Sequence, residues 1–298
     1  MSTCYHKILI PLDGSALAEH VLDHMAWLAT PAETELILVS AIETWRYAMA
    51  GAEFSWSDIL TPVREETENY MTRQRQRMQE AGYRVSTYVV DGDAAQVILD
   101  LAQKNAADLI AMTTHGRSGF VRWTLGSVAE RVIHDAQIPV FLVRESTELR
   151  QHKLQKILLP LDGSVVAEQA LPEAQALAQA NAAQILLLQV IQKLDEGSQR
   201  LLFKDEAAAK TIFTAWRNEA ESYLAGIASQ LASAGVACDY RVVVDNPDRA
   251  ICALTKSNGA DLIIMGTHGR TGMRRWVYGS IANKVLRGAS CPLLLVIP

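Results

Sequence analysis

Residues 266–280 read GTHGRTGMRRWVYGS, with Gly266, Gly269 and Gly279 spaced Gly-x2-Gly-x9-Gly and followed by Ser280. Gly266 closes the apolar run Leu262–Gly266, and Gly279-Ser280 opens a helical pattern. A segment leaving a strand and entering a helix lies where open α/β sheets bind ligands, outside the carboxyl ends of the strands. Glycine there lets backbone N–H groups come close to an anion because no Cβ intervenes. Ser280 stands where an N-cap hydroxyl and the first N–H groups of a helix can hold a phosphate. Asp162 follows the first strand of the same half of the chain, the neighbour of this strand in a doubly wound order. Glycines alone would be read as tight turns. An anion loop facing a strand-end carboxylate points to a nucleotide, with phosphates in the loop and sugar or metal near Asp162. The loop is not a Walker P-loop, since the chain has no Gly-Lys-Ser or Gly-Lys-Thr. Nor is it the dinucleotide fingerprint, whose glycines sit in the first βα turn.

A thinner version occurs earlier, where residues 113–127 read TTHGRSGFVRWTLGS. It keeps Gly116, Gly126 and Ser127, together with Asp13, but has Thr113 in place of the first glycine. A β-branched side chain there projects toward a ligand and disfavours positive φ, so this copy is expected to bind less well. In the later copy Asp245-Asn-Pro247 replaces Gly92-Asp-Ala, and Asp245 would repel phosphate if it pointed into the site, unless a divalent ion bridged the two. His115 and His268 fall at equivalent positions. Each is read first as a loop histidine bonding backbone and second as a general base. Arg270, Arg274 and Arg275 with Trp276 read as a clamp on phosphates or a stacking surface for a partner, Arg274 and Arg275 equally as a solvated loop, and Arg117, Arg122 and Trp123 repeat the pattern more thinly.

The elements that position these residues come in two rounds. Residues 6–15 (HKILIPLDGS) recur as 155–164 (QKILLPLDGS), matching at 8 of 10 positions. Residues 107–145 recur as 260–298 with 20 of 39 identical and no gap, which marks a tandem duplication. Each copy opens with an apolar strand (8–12), an Asp-Gly turn and a serine N-cap, Ser15 or Ser164. A helix follows with Leu17, Val21, Met25 and Leu28 on one face, or Val166, Ala170, Ala174 and Leu177, the second kinked at Pro172. Continuous apolar strands at 36–41 and 185–190 suit parallel strands covered on both faces. Connections at 45–62 and 192–210 come next, then helices ending before Gly82 and Gly235 and strands at 85–90 and 240–244. A further helix precedes strands at 109–113 and 262–266, and a last helix leads to final strands at 140–143 and 293–297. The alternation predicts two doubly wound, five-stranded parallel-sheet α/β domains, residues 1–145 and 156–298, joined by a polar linker at 146–155.

The Gly-x2-Gly-x9-Gly-Ser spacing, the Pro-Leu-Asp-Gly-Ser opening and the closing Cys-Pro-Leu-Leu-Leu-Val resemble the universal stress protein family in its tandem two-domain form. The resemblance covers nearly the whole chain and implies a Rossmann-like fold of the adenine nucleotide alpha hydrolase type, binding ATP with Mg2+ or Mn2+. Carried onto this sequence, it implies a phosphate loop of Gly266, Gly269, Arg270, Gly279, Ser280 and Ile281. The adenosine end would be Pro160, Asp162 and Val190, with Met265 and His268 nearby. The first copy's counterparts are Pro11, Asp13, Ala41, Met112, Gly116, Arg117, Gly126, Ser127 and Val128. The resemblance also implies pairing through the terminal strands, here as an intramolecular pseudo-dimer or in a homodimer.

Composition narrows the partners. A net charge of −5 and 20 % charged residues argue against a nucleic-acid backbone or an anionic membrane as the main partner. The apolar runs at 185–188 and 293–297 fall far short of the roughly 18–20 residues of a membrane helix. The opening MSTCYHK lacks the apolar core of a signal peptide, and four cysteines without paired spacing read as free thiols, so a cytoplasmic protein is expected. The segment 45–62, with Trp45, Tyr47, Phe54 and Trp56, reads as a loop packed on its own domain or else as a lid or partner surface. Three function classes follow: an ATP-binding regulatory stress protein acting on an unidentified partner, a slow ATPase, or an interaction scaffold with vestigial sites. No catalytic residue is assigned, because fast phosphoryl transfer needs a positioned nucleophile and charge clamps that the sequence does not offer.

Overall fold

A computed structural model of the chain describes residues 5–43, 56–114, 125–144, 153–193, 197, 205–267 and 279–297. Apart from the last two residues, the chain divides into two compact units, Met1–His152 and Lys153–Val296.

In the first unit β1 (Lys7–Pro11) leads through α1 (Ala16–Glu19), a 3₁₀ turn (Leu22–His24) and α2 (Met25–Leu28) to β2 (Glu35–Ile42). The long α3 (Trp56–Glu80), β3 (Arg84–Asp91), α4 (Ala94–Lys104), β4 (Leu109–Thr113), α5 (Ser127–Asp135) and β5 (Val140–Val143) follow. All strand pairs are parallel, in the order β3-β2-β1-β4-β5. The central strands are apolar through their middles because helices cover both sheet faces: Ile8, Leu9, Ile10, Leu36, Leu38, Leu109 and Ile110 are all fully buried.

The second unit repeats this plan. It runs β6 (Lys156–Pro160), α6 (Val165–Glu168), α7 (Leu171–Asn181), β7 (Gln184–Gln192), α8 (Glu206–Ser233) and β8 (Cys238–Asp245). Then come α9 (Pro247–Ser257), β9 (Leu262–Gly266), α10 (Ser280–Gly288) and β10 (Leu293–Val296). Its strands pair in parallel as β8-β7-β6-β9-β10. Each first strand is anchored by a carboxylate from the loop before the fourth strand. Asp108 accepts from the His6 and Lys7 amides at 2.7 and 3.0 Å, and Asp261 accepts from Gln155 and Lys156 at 2.9 Å each. Leu154 is fully buried, so the chain is engaged before β6 begins.

The structure corrects several expectations. The first helix of each copy is broken rather than continuous. In the first unit a 3₁₀ turn separates α1 from α2, and Leu17 is only half-buried while Val21, Met25 and Leu28 are buried. In the second, Pro172 does not kink a helix but starts a new one, in the first turn of α7, where an absent N–H leaves no hydrogen bond unmade. The connections are shorter than 45–62 and 192–210, because α3 already begins at Trp56 and contains Pro62, β7 runs through Gln192, and α8 begins at Glu206. The remaining residues of those connections lie outside the described residues, apart from Lys193, Gly197 and Asp205.

Candidate functional site

Parallel register lines the strand ends up. In the first unit Ile8 pairs with Leu109 and Leu9 with Ile110, so Pro11 falls level with Met112. In the second, Ile157 pairs with Leu262 and Leu158 with Ile263, so Pro160 falls level with Met265. The chain leaves each first strand through an Asp-Gly-Ser turn. The carboxylate Oδ1 of Asp13 accepts from the Ser15 amide at 3.0 Å and its hydroxyl at 2.6 Å, and Ser15 Oγ accepts from the Ala18 amide at 3.1 Å. Asp162, Ser164 and Ala167 repeat this at 3.0, 2.6 and 3.2 Å. Gly14 and Gly163, at φ 83° and 79°, hold the left-handed conformation the turn requires. One oxygen of each strand-end carboxylate is therefore committed to shaping the turn.

The glycine-bearing connection is closed at its neck in both units. The Thr267 amide donates to the Val296 carbonyl at 3.1 Å, and the Gly279 amide donates back to the Thr267 carbonyl at 2.9 Å. Thr114, Val143 and Gly126 do the same, each bond at 2.9 Å. The loop thus leaves and returns at one point at the end of β9 or β4. Two expectations change here. The N-caps of α10 and α5 are Gly279 and Gly126, with no capping side chain, and Ser280 and Ser127 are the first helical residues. Gly266 and Thr113 are strand residues without positive φ, so glycine is not needed there for backbone conformation. What Gly266 leaves out is a side chain at the strand end. The Gly279 amide is also consumed by the neck, which leaves the Ser280 and Ile281 amides in the first turn of α10 without a partner among the described residues.

In the first unit these elements enclose a cleft of about 190 Å³ over the carboxyl ends of β1, β2 and β4. Pro11, Asp13, Ala41, Met112, Gly126, Ser127 and Val128 all line it. The sequence reading missed other lining residues: Ser40 and Glu43 at the end of β2, Val63 and Thr67 on α3, and Ile98 on α4. Ser40 and Glu43 carried a usable signal, polar residues closing an otherwise apolar strand; the residues on α3 and α4 carried none, since only packing brings those helices over the strand ends. Asp93 holds α4 beside α5, because it caps α4 at the Gln96 amide (3.0 Å) and takes both 2.8 Å bonds from Arg131. The Gln96 amide, with Arg131, lowers the Asp93 pKa against its partial desolvation.

In the second unit the corresponding residues occupy the same strand ends. Pro160 and Val190 are half-buried, Met265 and Gly266 buried, and Ile281 is 39 % exposed beside exposed Ser280. Asp245 ends the edge strand β8, and its carboxylate accepts from the next amide, Asn246, at 2.8 Å, so it serves that turn. His268, Gly269 and Arg270, with Gly116 and Arg117, lie outside the described residues, as do His115 and the remaining arginines and tryptophans of both loops. Among the described residues no three His, Cys, Asp or Glu side chains come together to hold a metal ion, and no helix is long and apolar enough to cross a membrane.

Known proteins resemble this chain in sequence and fold. The chain is 34 % identical over 141 residues to a universal stress protein of Methanocaldococcus jannaschii, covering 47 % of this chain and 83 % of that one. A universal stress protein of Mycolicibacterium smegmatis is 24 % identical along 100 % of this chain and 99 % of its own. The crystal structure of a universal stress protein from Archaeoglobus fulgidus superposes with a TM-score of 0.72 over 99 % of this chain and 97 % of that one, at 20 % identity, and so shares the fold. The universal stress protein family model matches twice, at residues 5–144 and 153–296, one match on each unit. The chain belongs to the universal stress protein family, with two copies of its domain in tandem.

Proposed function

We propose that the second unit binds ATP, with a divalent cation carried on the phosphates, and that the protein acts as a nucleotide-responsive regulator. The observation that carries this reading is the neck between β9 and α10. There two residues without Cβ, Gly266 and Gly279, flank the mouth of the loop, and helix N–H groups open toward it. A helix N-terminus favours negative charge through its dipole and its unpaired donors. Pro160, Asp162 and Val190, at the ends of β6 and β7, stand where a nucleoside would lie if the phosphates occupied the loop. Bound nucleotide would change the surface around the site that a partner reads.

Nucleotide released from the denatured protein and assayed directly tests this. ATP at about one per chain supports a regulator with one occupied site. ADP accumulating with time supports slow hydrolysis. Absence of nucleotide, and of any binding on titration with Mg·ATP, supports the scaffold reading. Gly279→Val places a branched side chain against the phosphates, and binding is expected to fall beyond detection; retained affinity refutes the loop assignment.

A further inference from the structure

The N-terminal half of α3 reaches over the first unit's cleft without a core of its own. From residue 60 to residue 69 none is buried, and Tyr70 and Met71 are the first that are. Two features weaken the helix there. Pro62 has no amide hydrogen, so one backbone bond is missing. The Thr67 hydroxyl donates to the Val63 carbonyl at 2.7 Å, a back-bond that slightly destabilises a helix. A segment with so few buried contacts belongs to the low-stability end of a fold. Its inner side nevertheless walls the cleft, through Val63 and Thr67.

An ion pair ties this overhang down. Arg64, between those two residues, donates to Asp91 at the last position of β3 and reaches Glu68, one turn along, at 3.9 Å. Alternation along β3 accounts for the match. The Tyr88 hydroxyl donates to Asn105 at the end of α4, so Asp91, three residues on, points to the opposite face, where α3 lies. Ser40 pairs in register with Val89 and so shares the α3 face; it lines the cleft and is 4 % exposed. The second unit has the overhang without the tie. Residues 207–219 of α8 include none that is buried. Gly82 and Gly235, both at positive φ, follow the two helices at the same spacing, so Arg217 stands where Arg64 does. Ile42 pairs with Asp91 as Ile191 pairs with Val244, so an exposed valine with no acceptor takes the place of the carboxylate.

We propose that residues 60–69 are a lid on the first unit's cleft, clasped by Arg64 to Asp91 and hinged where burial begins at Tyr70, so that breaking this ion pair opens the cleft. Opening is a local loss of helix and not of the unit, because Met71, Gln74 and Met78 keep the rest of α3 packed. Both partners are partly exposed, at 39 % and 52 %, so the clasp biases the lid without locking it, by up to about fivefold. The test uses the full-length protein carrying Ser40→Cys, which puts a thiol under the lid. Alkylation by iodoacetamide is read on the peptide containing residue 40, and hydrogen exchange on peptides within 60–69 and 71–80. Adding Asp91→Asn, which removes the charge and keeps the shape, is expected to speed both alkylation of residue 40 and exchange in 60–69 by up to about fivefold, with 71–80 unchanged. About 1 M NaCl should have the same effect on the chain that keeps Asp91 and add nothing to the variant, while residues 211–219 of α8, which have no clasp, stay insensitive to salt. Exchange measured without Ser40→Cys keeps the test decisive if that substitution disturbs the cleft. Unchanged alkylation and exchange in Asp91→Asn overturn the clasp. Acceleration that extends equally through 71–80 is a general loss of stability and overturns the lid.

Discussion

Replacing His24 with phenylalanine should make the first unit markedly less sensitive to acid. His24 ends the 3₁₀ turn and is 1 % exposed. Its Nδ1 lies 3.0 Å from the His20 carbonyl, which makes it the protonated nitrogen, while buried Nε2 has no hydrogen-bond partner. The ring meets Trp27 edge-on at 4.8 Å between centroids and lies 5.9 Å from Phe141 of β5. A second proton on Nε2 would create a cation with no acceptor among apolar neighbours. Burial accordingly lowers the pKa of His24 below 6.5, the backbone bond to His20 and the charge of Asp23 opposing only part of that effect, and His20 adding to it. Arg77 on α3 engages Asp23 at 2.7 Å, which weakens its help. Since the folded pKa lies below the unfolded one, the unfolded chain takes up the extra proton as pH falls through 6.5, and stability present at neutral pH is lost below it. Between pH 7.5 and 5.5 an unfolded histidine goes from mostly neutral to about nine-tenths charged, so the loss reaches at most about 1.4 kcal/mol, or a tenfold change in the opening equilibrium. Phenylalanine keeps a ring against Trp27 and Phe141, gives up one hydrogen bond worth about 1 kcal/mol, and cannot titrate. Hydrogen exchange of peptides spanning residues 22–28 and 140–143, corrected for intrinsic rates, resolves this unit from the other. In the unmodified protein protection should fall up to tenfold more between the two pH values than in His24→Phe. Peptides around Glu173, the residue at the equivalent place in α7, should show no such difference. Equal acid sensitivity of both proteins in residues 22–28 would refute the reasoning.

Two further substitutions probe local structure. Ser164→Ala removes the N-cap of α6, which accepts from Ala167 at 3.2 Å, together with the 2.6 Å bond to Asp162, and should lower stability by about 1 kcal/mol in thermal unfolding. Gly288→Ala would normally favour a helix by up to about 1 kcal/mol, but an added Cβ would lie 2.9 Å from Cys252 Sγ. It is therefore expected to destabilise the second unit by about 1–3 kcal/mol, and Cys252→Ala in the same chain should recover most of the loss; a stabilised single variant would mean that α9 gives way readily.

The duplication, the alternation of strand and helix and the parallel five-stranded sheets were all legible in the linear chain, because buried parallel strands are written as short continuous apolar runs such as Leu109–Thr113 and Leu262–Gly266. The serine caps were legible too, since a cap needs only a residue and its third neighbour: Ser15 with Ala18, and Ser164 with Ala167. What local reasoning misjudged were boundaries and conformations decided by neighbours. Apolar spacing described α1 through α2 as one helix, yet the break at Leu22–His24 brings His24 under Trp27 and against Phe141, a contact more than a hundred residues away in sequence. Of the two effects expected of Thr113, the strain of a positive φ does not arise, because the strand holds it in the β region, and only the bulk of its side chain remains.

By itself the sequence determined the class of fold, its repetition, and the positions where glycine, aspartate and serine could meet at strand ends, because those follow from residue type and short-range period. Tertiary structure alone decided that the Gly126 and Gly279 amides close a neck rather than face a ligand. It alone decided that α3 and α4 wall the first unit's cleft with Thr67 and Ile98. It alone decided that Glu43 and Thr113 share that cleft. Those facts depend on which residues are brought together across the sheet by register and helix packing, and a linear chain carries no record of the distances between strands.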